Sequence, residues 1–120
     1  MFKSVDVQTA FAQMQQGAAF VDVRSVAEFR AGHPEGAVNI PLLDHNPMGM
    51  MVPNPDFIAQ MKAMFPPDTT LLMGCKVGGR SAHACQALAQ HGYTDLSNVE
   101  GGFLAAGGWL DHGLPSTTGE

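Results

Sequence analysis

The run Thr70-Leu71-Leu72-Met73, followed within a few residues by a helical pattern, constrains the fold of this chain more than any other feature. A short apolar run of this kind is typical of a strand buried on both faces of a parallel sheet. Between the run and the helix lies the segment Cys75-Lys76-Val77-Gly78-Gly79-Arg80. The pattern therefore predicts a central strand, a tight turn that carries a thiol, and a helix over residues 79–90.

Strands and helices are predicted to alternate along the rest of the chain. The predicted strands are residues 19–23, 37–40 and 96–99. The predicted helices run from Ser4 or Asp6 to about residue 16, from the capping box Ser25–Glu28 to about residue 32, and from Asn54 to the Pro66-Pro67 pair. Residues 42–53 have no clean period and are predicted to be an exposed connection. This alternation favours an α/β fold with a parallel sheet, which binds ligands at the carboxyl ends of its strands.

The composition suits one soluble domain, because 45% of the 120 residues are hydrophobic and 14% are charged. We expect this domain to span residues 1–114, with a flexible tail over residues 115–120. The formal charge of -5, with six Lys and Arg in all, provides no basic stripe for nucleic acid. No apolar run approaches the roughly 20 residues that cross a bilayer, so we expect no membrane partner. The first residues lack the long apolar region of a secretory signal, which favours the cytoplasm.

Cys75 is the candidate nucleophile. At a turn from strand to helix, backbone N–H groups and the positive end of the helix dipole converge, and both favour an anion such as a thiolate. The cations of Lys76 and Arg80 add to this effect, and Gly78 and Gly79 allow the backbone to curl around the sulfur. These neighbours argue against a buried, inert thiol. The sequence therefore predicts a small enzyme that carries an atom or group on this cysteine.

Five motifs, in order along the chain, resemble the single-domain rhodanese family, the thiosulfate sulfurtransferase-like fold. They are Asp22-Val23-Arg24 followed by Glu28-Phe29, the stretch from Gly32-His33-Pro34-Glu35-Gly36 to Pro41, the loop from Cys75 to Arg80 with Ser81, the pair Gly92-Tyr93, and Glu100-Gly101-Gly102. Five matches in order are far more specific than one cysteine beside glycines. The resemblance implies a three-layer sandwich, with a central parallel sheet of about five strands and helices on both faces.

The resemblance also implies a sulfurtransferase. Cys75 would attack the outer sulfur of thiosulfate or of a persulfide donor, hold that sulfur as a persulfide, and pass it to cyanide or to an acceptor thiol. The residues assigned to substrate binding are Lys76, Val77, Gly78, Gly79 and Arg80. The implied partners are a small anionic sulfur donor and a thiol or cyanide acceptor, with a persulfide-carrying protein as a further candidate. The resemblance implies no metal and no organic cofactor.

Six other residues are assigned supporting roles around the nucleophile. They are Asp22, Arg24, Glu28, His33, Gly101 and Gly102. Arg24 and Glu28 lie four positions apart at a helix start, and we expect them to form a local ion pair. Gly101 and Gly102 are expected to form a tight turn where a side chain would collide with the active loop.

Several alternatives remain at this point. Cys85 lies on the predicted inward stripe of the helix with Ala82, Leu88 and Ala89, and we expect it to be structural. The two cysteines have no recognised zinc spacing. A non-catalytic binding module of the same fold is the main rival to the enzyme. A cysteine phosphatase or an arsenate reductase is disfavoured, since only four residues separate Cys75 from Arg80.

One departure from the family pattern lies near the end of the chain. The family usually places an aromatic residue about one helical turn after the Gly-Gly pair, whereas six residues stand between Gly102 and Trp109 here. We therefore expect the final helix to be broken or shifted. The methionine-rich segment after Pro41 is not a family motif either.

Overall fold

The computed structural model describes residues 2–119 of the chain. Its helices are α1 (Val7–Gln15), α2 (Val26–Ala31), α3 (Phe57–Met64) and α4 (Gly79–Gln90). Its strands are β1 (Lys3–Val5), β2 (Ala19–Asp22), β3 (His33–Pro34), β4 (Val38–Asn39), β5 (Leu43–His45), β6 (Met51–Pro53), β7 (Leu71–Gly74), β8 (Leu96–Val99) and β9 (Ser116–Thr117). No helix within this range is long and apolar enough to span a membrane.

The main sheet has five strands in the order β1-β8-β7-β2-β4, and all four pairings are parallel. β7 is the central strand, with Met73 opposite Val21 of β2 on one side and opposite Asn98 of β8 on the other. Because all five strands run in one direction, their carboxyl ends meet at one edge of the sheet. The predicted parallel sheet of about five strands is confirmed, and its fifth member is β1, which the sequence did not predict.

Side chains of the central strands alternate between two hydrophobic clusters, as the two-residue period of a strand requires. Leu71 and Met73 pack with α3 and α4 on one face, in a cluster that includes Met61 and Leu88. Leu72 packs on the other face with residues of α1, together with Trp109. Helices therefore cover both faces of the sheet, which confirms the predicted three-layer arrangement.

Two connections differ from their predictions. Residues 42–53 were expected to be irregular, but β5 and β6 pair there as an antiparallel hairpin, with Asp44 opposite Val52. Residues 115–120 were expected to be a flexible tail. Glu120 lies outside the described residues, but over residues 115–119 β9 pairs with β3, and the amide of Gly119 donates to the carbonyl of Arg30. The chain segment after Trp109 is thus attached to the domain by backbone hydrogen bonds as far as Gly119.

The helix after the thiol begins and ends where the sequence predicted, at Gly79 and Gln90. Its buried side differs in part, because Ser81, Ala84, Cys85 and Leu88 are buried there, whereas Ala82 and Ala89 of the predicted stripe are only half-buried. Residues 100–113 form successive turns with no helix, in line with the expectation of a broken final helix. Trp109 is nevertheless fully buried and packs edge-on against Phe11 and Phe20.

Candidate active site

The thiol of Cys75 lies at the carboxyl edge of the sheet, between the end of β7 and the start of α4. Gly78 precedes the helix with a φ of 106°, a left-handed conformation that glycine adopts without strain. This turn aims the Gly78 N–H at the sulfur, with 3.0 Å between the nitrogen and Sγ. The predicted turn from strand to helix therefore places a backbone N–H donor within hydrogen-bond distance of the sulfur.

Cys75 is nevertheless buried, with only 2% of its surface exposed. The sequence argued against a buried thiol because glycines and a lysine flank it, and that argument was wrong about exposure. It was wrong because Cys75 packs in the hydrophobic cluster that includes Met73 and Leu88. Val77 is the exposed apolar residue of the loop, with 63% of its surface accessible. The sulfur remains in polar contact, so burial alone does not make it inert.

Ser81 and Asn98 complete the polar surroundings of the sulfur, and the sequence predicted no role for either. The hydroxyl oxygen of Ser81 lies 3.4 Å from Sγ. It also lies within hydrogen-bond distance of the Asn98 side-chain oxygen and 3.1 Å from the carbonyl oxygen of Gly78. The available signal was the polar Asn98 inside a predicted buried strand, next in the sheet to the strand that leads to the thiol.

The turn at Gly101 and Gly102 packs directly against the backbone of the thiol loop. The amide of Phe103 donates to the carbonyl of Cys75, and that of Leu104 donates to the carbonyl of Lys76. A Cβ atom at Gly102 would lie 2.5 Å from each of those two carbonyl oxygens. The structure thus gives a geometric reason for a glycine at position 102, as the sequence predicted. For Gly101 the prediction is wrong, because a Cβ there would meet the backbone of Gly107 and Gly108 at 3.2 Å and not the thiol loop.

Arg80 and Glu28 form the ion pair that joins the thiol loop to α2. Two guanidinium nitrogens of Arg80 donate to the two carboxylate oxygens of Glu28 at 2.7 and 3.0 Å. This fork, together with the amide and hydroxyl of Ser25, lowers the pKa of Glu28 to about 2. The carboxylate is therefore ionised across the whole neutral range, and it neutralises the charge of Arg80.

The predicted local pair between Arg24 and Glu28 is not formed. Arg24 is buried, with a relative exposure of 2%. Its guanidinium binds the carboxylate of Asp22 and the carbonyl of Gly32. The same guanidinium lies 4.7 Å from the centre of the Phe103 ring. Spacing of four residues favours a pair on one helix, but Arg24 precedes the helix and turns back toward the strand. Arg24 thereby holds together the loops that follow β2, α2 and β8.

Lys76 is the cation of the site that no carboxylate neutralises. Its side chain is exposed, and no ion pair involves it among residues 2–119. It borders an open cavity of about 300 Å³ whose walls also include Glu28, Ala31, Phe103, Leu104 and Leu110. The ammonium of Lys76 therefore adds one positive charge, not balanced by a carboxylate of the described residues, beside a mostly apolar cavity.

His33 contacts Phe29 of α2. It is buried, its Nδ1 lies 2.7 Å from the carbonyl oxygen of Phe29, and its ring stacks on the Phe29 ring at 3.5 Å. Within the described part of the chain, no group of three or more Cys, His, Asp or Glu side chains is arranged to hold a metal ion.

The described arrangement fits nucleophilic chemistry on an anionic or sulfur-bearing ligand. A thiol at the amino end of a twelve-residue helix, with one amide and one hydroxyl in contact, can be stabilised as a thiolate. The uncommitted ammonium of Lys76 can attract an anion to the same edge of the sheet.

Comparison with known proteins yields matches over nearly the whole chain. The Rhodanese-like domain model matches residues 7–107. Thiosulfate sulfurtransferase 18 of Arabidopsis thaliana is 42% identical over 98% of this chain and 85% of its own length. Thiosulfate sulfurtransferase GlpE of Haemophilus influenzae is 30% identical over 98% of this chain and 96% of its own length. The crystal structure of Rv0390 from M. tuberculosis superposes with a TM-score of 0.83 at 26% identity, covering 99% of this chain and 100% of that one.

Proposed function

The chain belongs to the rhodanese-like domain family, and from this premise we propose that it transfers a sulfane sulfur through a persulfide on Cys75. The donor is thiosulfate or a persulfide, and the acceptor is cyanide or a thiol. The observation that carries the proposal is the hydrogen bond from the Gly78 amide to Sγ at the start of α4. A backbone donor fixed on a sulfur stabilises negative charge there, which a nucleophilic thiol needs.

The proposed reaction has two half-reactions. In the first, the Cys75 thiolate attacks the outer sulfur of thiosulfate, the sulfur–sulfur bond of the donor breaks, and sulfite leaves with the electron pair. In the second, cyanide attacks the outer sulfur of the persulfide, the new sulfur–sulfur bond breaks, and its electron pair returns to Sγ as the thiolate. The products are sulfite and thiocyanate, and no external oxidant or reductant is required.

The exposure of Cys75 limits which donors fit. Because only 2% of the residue is accessible, a donor must reach Sγ with a terminal atom. The outer sulfur of thiosulfate and that of a persulfide are both terminal, so both meet this requirement. A persulfide-carrying protein remains within the proposal, provided that its sulfur projects far enough.

Donor attraction in this proposal depends on Lys76 more than on Arg80. The charge of Arg80 is balanced by Glu28 through two hydrogen bonds, whereas Lys76 has no such partner among the described residues. A free ammonium acts over distance on an approaching anion, and a neutralised guanidinium contributes much less. The other assigned loop residues, Val77 and Gly79, would contribute backbone only.

The cytoplasm is the proposed location. Both thiols are free, and unpaired cysteines suit a reducing compartment.

Incubation with thiosulfate tests the proposal. The protein at neutral pH should gain one sulfur atom by intact mass, and cyanide should remove it with formation of thiocyanate. Proteolysis of the loaded protein should place the added sulfur on Cys75 and not on Cys85. No added sulfur with either thiosulfate or a small-molecule persulfide would leave the non-catalytic binding module as the better account, and rapid hydrolysis of an aryl phosphate would favour the phosphatase alternative.

A further inference from the structure

Ser81 has one hydroxyl proton and three acceptors within reach. The acceptors are Sγ of Cys75 at 3.4 Å, the carbonyl oxygen of Gly78 at 3.1 Å, and the side-chain oxygen of Asn98, which is the nearest. Ser81 is fully buried, and Asn98 retains 7% exposure. Since a hydroxyl donates one hydrogen bond at a time, the direction of this proton depends on which acceptor carries charge.

The charge on Sγ changes during the proposed reaction. Before a sulfur is transferred to the protein, the ionised thiol carries its charge on Sγ itself. In the persulfide the charge lies on the outer sulfur, and Sγ becomes a neutral sulfur that accepts hydrogen bonds weakly. A hydrogen bond to a charged acceptor is roughly twice as strong as one to a neutral acceptor, so the two states favour different positions of the Ser81 proton.

We propose that Ser81 is a catalytic residue whose hydroxyl donates a hydrogen bond to the Sγ thiolate, and that the same hydroxyl donates to the side-chain oxygen of Asn98 while the persulfide is present. The inference rests on the proposed function and concerns this chain's own three side chains. It assigns Asn98 a positioning role, because it acts on the sulfur only through Ser81. The hydroxyl turns between two partners that both lie in place, so no backbone movement is needed.

This arrangement affects the two half-reactions differently. When an acceptor attacks the persulfide, negative charge grows on Sγ in the transition state, and a donated hydrogen bond stabilises it. When the thiolate attacks a donor, Sγ loses charge, so the same hydrogen bond does not assist that step once the thiol is ionised. Ser81 should therefore accelerate release of sulfur to the acceptor and not its uptake.

The competing structural explanation is that Ser81 only stabilises the conformation of the thiol loop, through its hydrogen bond to the Gly78 carbonyl. Loss of that hydrogen bond would disorder the loop and slow both half-reactions together. The charged side chains around the loop, Lys76, Arg80, Glu28 and Asp22, are unchanged by substitution at Ser81. The ratio of the two rates within one protein thus separates the two explanations.

The test measures both half-reactions separately in the full-length protein. Uptake is followed by intact mass after mixing with excess thiosulfate, at a pH where the rate of iodoacetamide alkylation of each variant has reached its plateau. Release is followed after mixing the desalted persulfide form with cyanide. Ser81→Ala should slow release about tenfold to a hundredfold, the range expected for one hydrogen bond to a charged group, and leave uptake within roughly threefold.

Three further variants make the result decisive. Ser81→Thr retains the hydroxyl and should restore release. Ser97→Ala removes a neighbouring buried hydroxyl of β8 that makes no hydrogen bond to the thiol loop, and it should match the parent protein. Asn98→Asp holds the Ser81 hydrogen bond on a charged acceptor. At saturating thiosulfate, where the added negative charge does not limit donor binding, it should slow release more than uptake, which tests the inference even if Ser81→Ala does not fold.

Equal slowing of both half-reactions in Ser81→Ala, or no change in either, would overturn the assignment. A parent protein that takes up no sulfur from thiosulfate would instead overturn the proposed function on which the assignment rests. The two failures are thus distinguishable in one series of measurements.

Discussion

Cys75 and Cys85 are two thiols of one hydrophobic cluster, and both are almost completely buried, with 2% and 0% of their surfaces exposed. Their polar contacts differ. The sulfur of Cys75 receives an amide hydrogen bond from Gly78 and contacts the hydroxyl of Ser81. Cys85 lies four residues beyond Ser81, about one helical turn further along α4. Its apolar surroundings raise its pKa to about 12.

The difference shows that burial does not decide whether a cysteine is reactive. Removal from water disfavours a thiolate, and donors aimed at the sulfur oppose that penalty. At Cys75 the turn before the helix leaves backbone amides free to point at the sulfur. At Cys85 the helix interior has already used its amides in the i to i−4 ladder, so no backbone donor remains for the side chain.

Replacement of each cysteine gives the largest expected contrast. Cys75→Ser should reduce thiosulfate-to-cyanide sulfur transfer below detection, because a serine hydroxyl cannot hold the sulfur as a persulfide. Cys85→Ala should retain the transfer rate and lose about 1–2 kcal/mol of unfolding free energy from the small cavity it leaves. Thiocyanate formation and chemical denaturation measure the two effects. Full activity of Cys75→Ser would show that Cys75 does not carry the transferred sulfur.

Alkylation of the native protein tests the comparison without mutation. With a pKa of about 12, Cys85 has about one part in ten thousand as thiolate at pH 8. Iodoacetamide at pH 8 should therefore label Cys75 faster than Cys85, as measured by peptide mass spectrometry. In denaturant the two rates should converge. Equal labelling of both cysteines in the folded protein would contradict the assigned difference in environment.

Substitution at Gly102 should disturb Cys75 while leaving Cys85 in place. Gly102→Ala puts a Cβ 2.5 Å from the carbonyl oxygens of Cys75 and Lys76, so the thiol loop must move. We expect sulfur transfer to fall about tenfold or more, since small displacements of reacting groups cost rates of this order.

Gly107→Ala is the matched control for Gly102→Ala. Both glycines have positive φ, 59° and 74°, but a Cβ at Gly107 meets no atom within 4 Å. Both variants therefore carry the backbone strain of about 1–2 kcal/mol, and only one collides with the loop. A similar loss of activity in both would show that strain in the turn, and not contact with the thiol loop, is responsible.

The sequence predicted those parts of the molecule that depend on local pattern. The capping box of Ser25 and Glu28, the bounds of α4 and the strand Leu96–Val99 all agree with the structure. It did not predict the partner of Glu28, because Arg80 lies 52 residues away and the local candidate Arg24 was nearer in sequence. Pairing between side chains of distant segments depends on how the elements pack, which periodicity does not report.

The polar contacts of the thiol were missed for the same reason. The contact between Ser81 and Asn98 joins a helix to a neighbouring strand, and it exists only once β7 and β8 pair. The hairpin at residues 43–53 was missed because its strands are three residues each and its side chains are largely exposed, so they show no alternation of hydrophobic and polar residues. Short exposed strands carry little signal in a sequence.

Glu28→Gln should produce the smallest effect on activity. It tests whether the net charge near Cys75 affects the binding of thiosulfate. Glutamine keeps the capping box at this position but no longer neutralises Arg80, so the site gains one positive charge. The KM for thiosulfate should fall a few-fold, roughly two- to fivefold, in steady-state assays at low salt. Glu35→Gln makes the same change in net charge at an exposed position and should leave KM unchanged.

The stability of the same variant depends on pH in a defined direction. The pKa of Glu28 is lowered to about 2, below its ordinary value of 4.5, so its ion pair stabilises the folded protein fully above about pH 4.5. That stabilisation is lost as the pH falls through 2, because the carboxylate of the parent protein then takes up a proton. Since the pair is partly exposed, Glu28→Gln should lower the unfolding free energy by only about 1–2 kcal/mol at pH 7. Urea denaturation should show this difference shrinking toward pH 2, and a difference independent of pH would mean that Glu28 acts through its cap and packing and not through its charge.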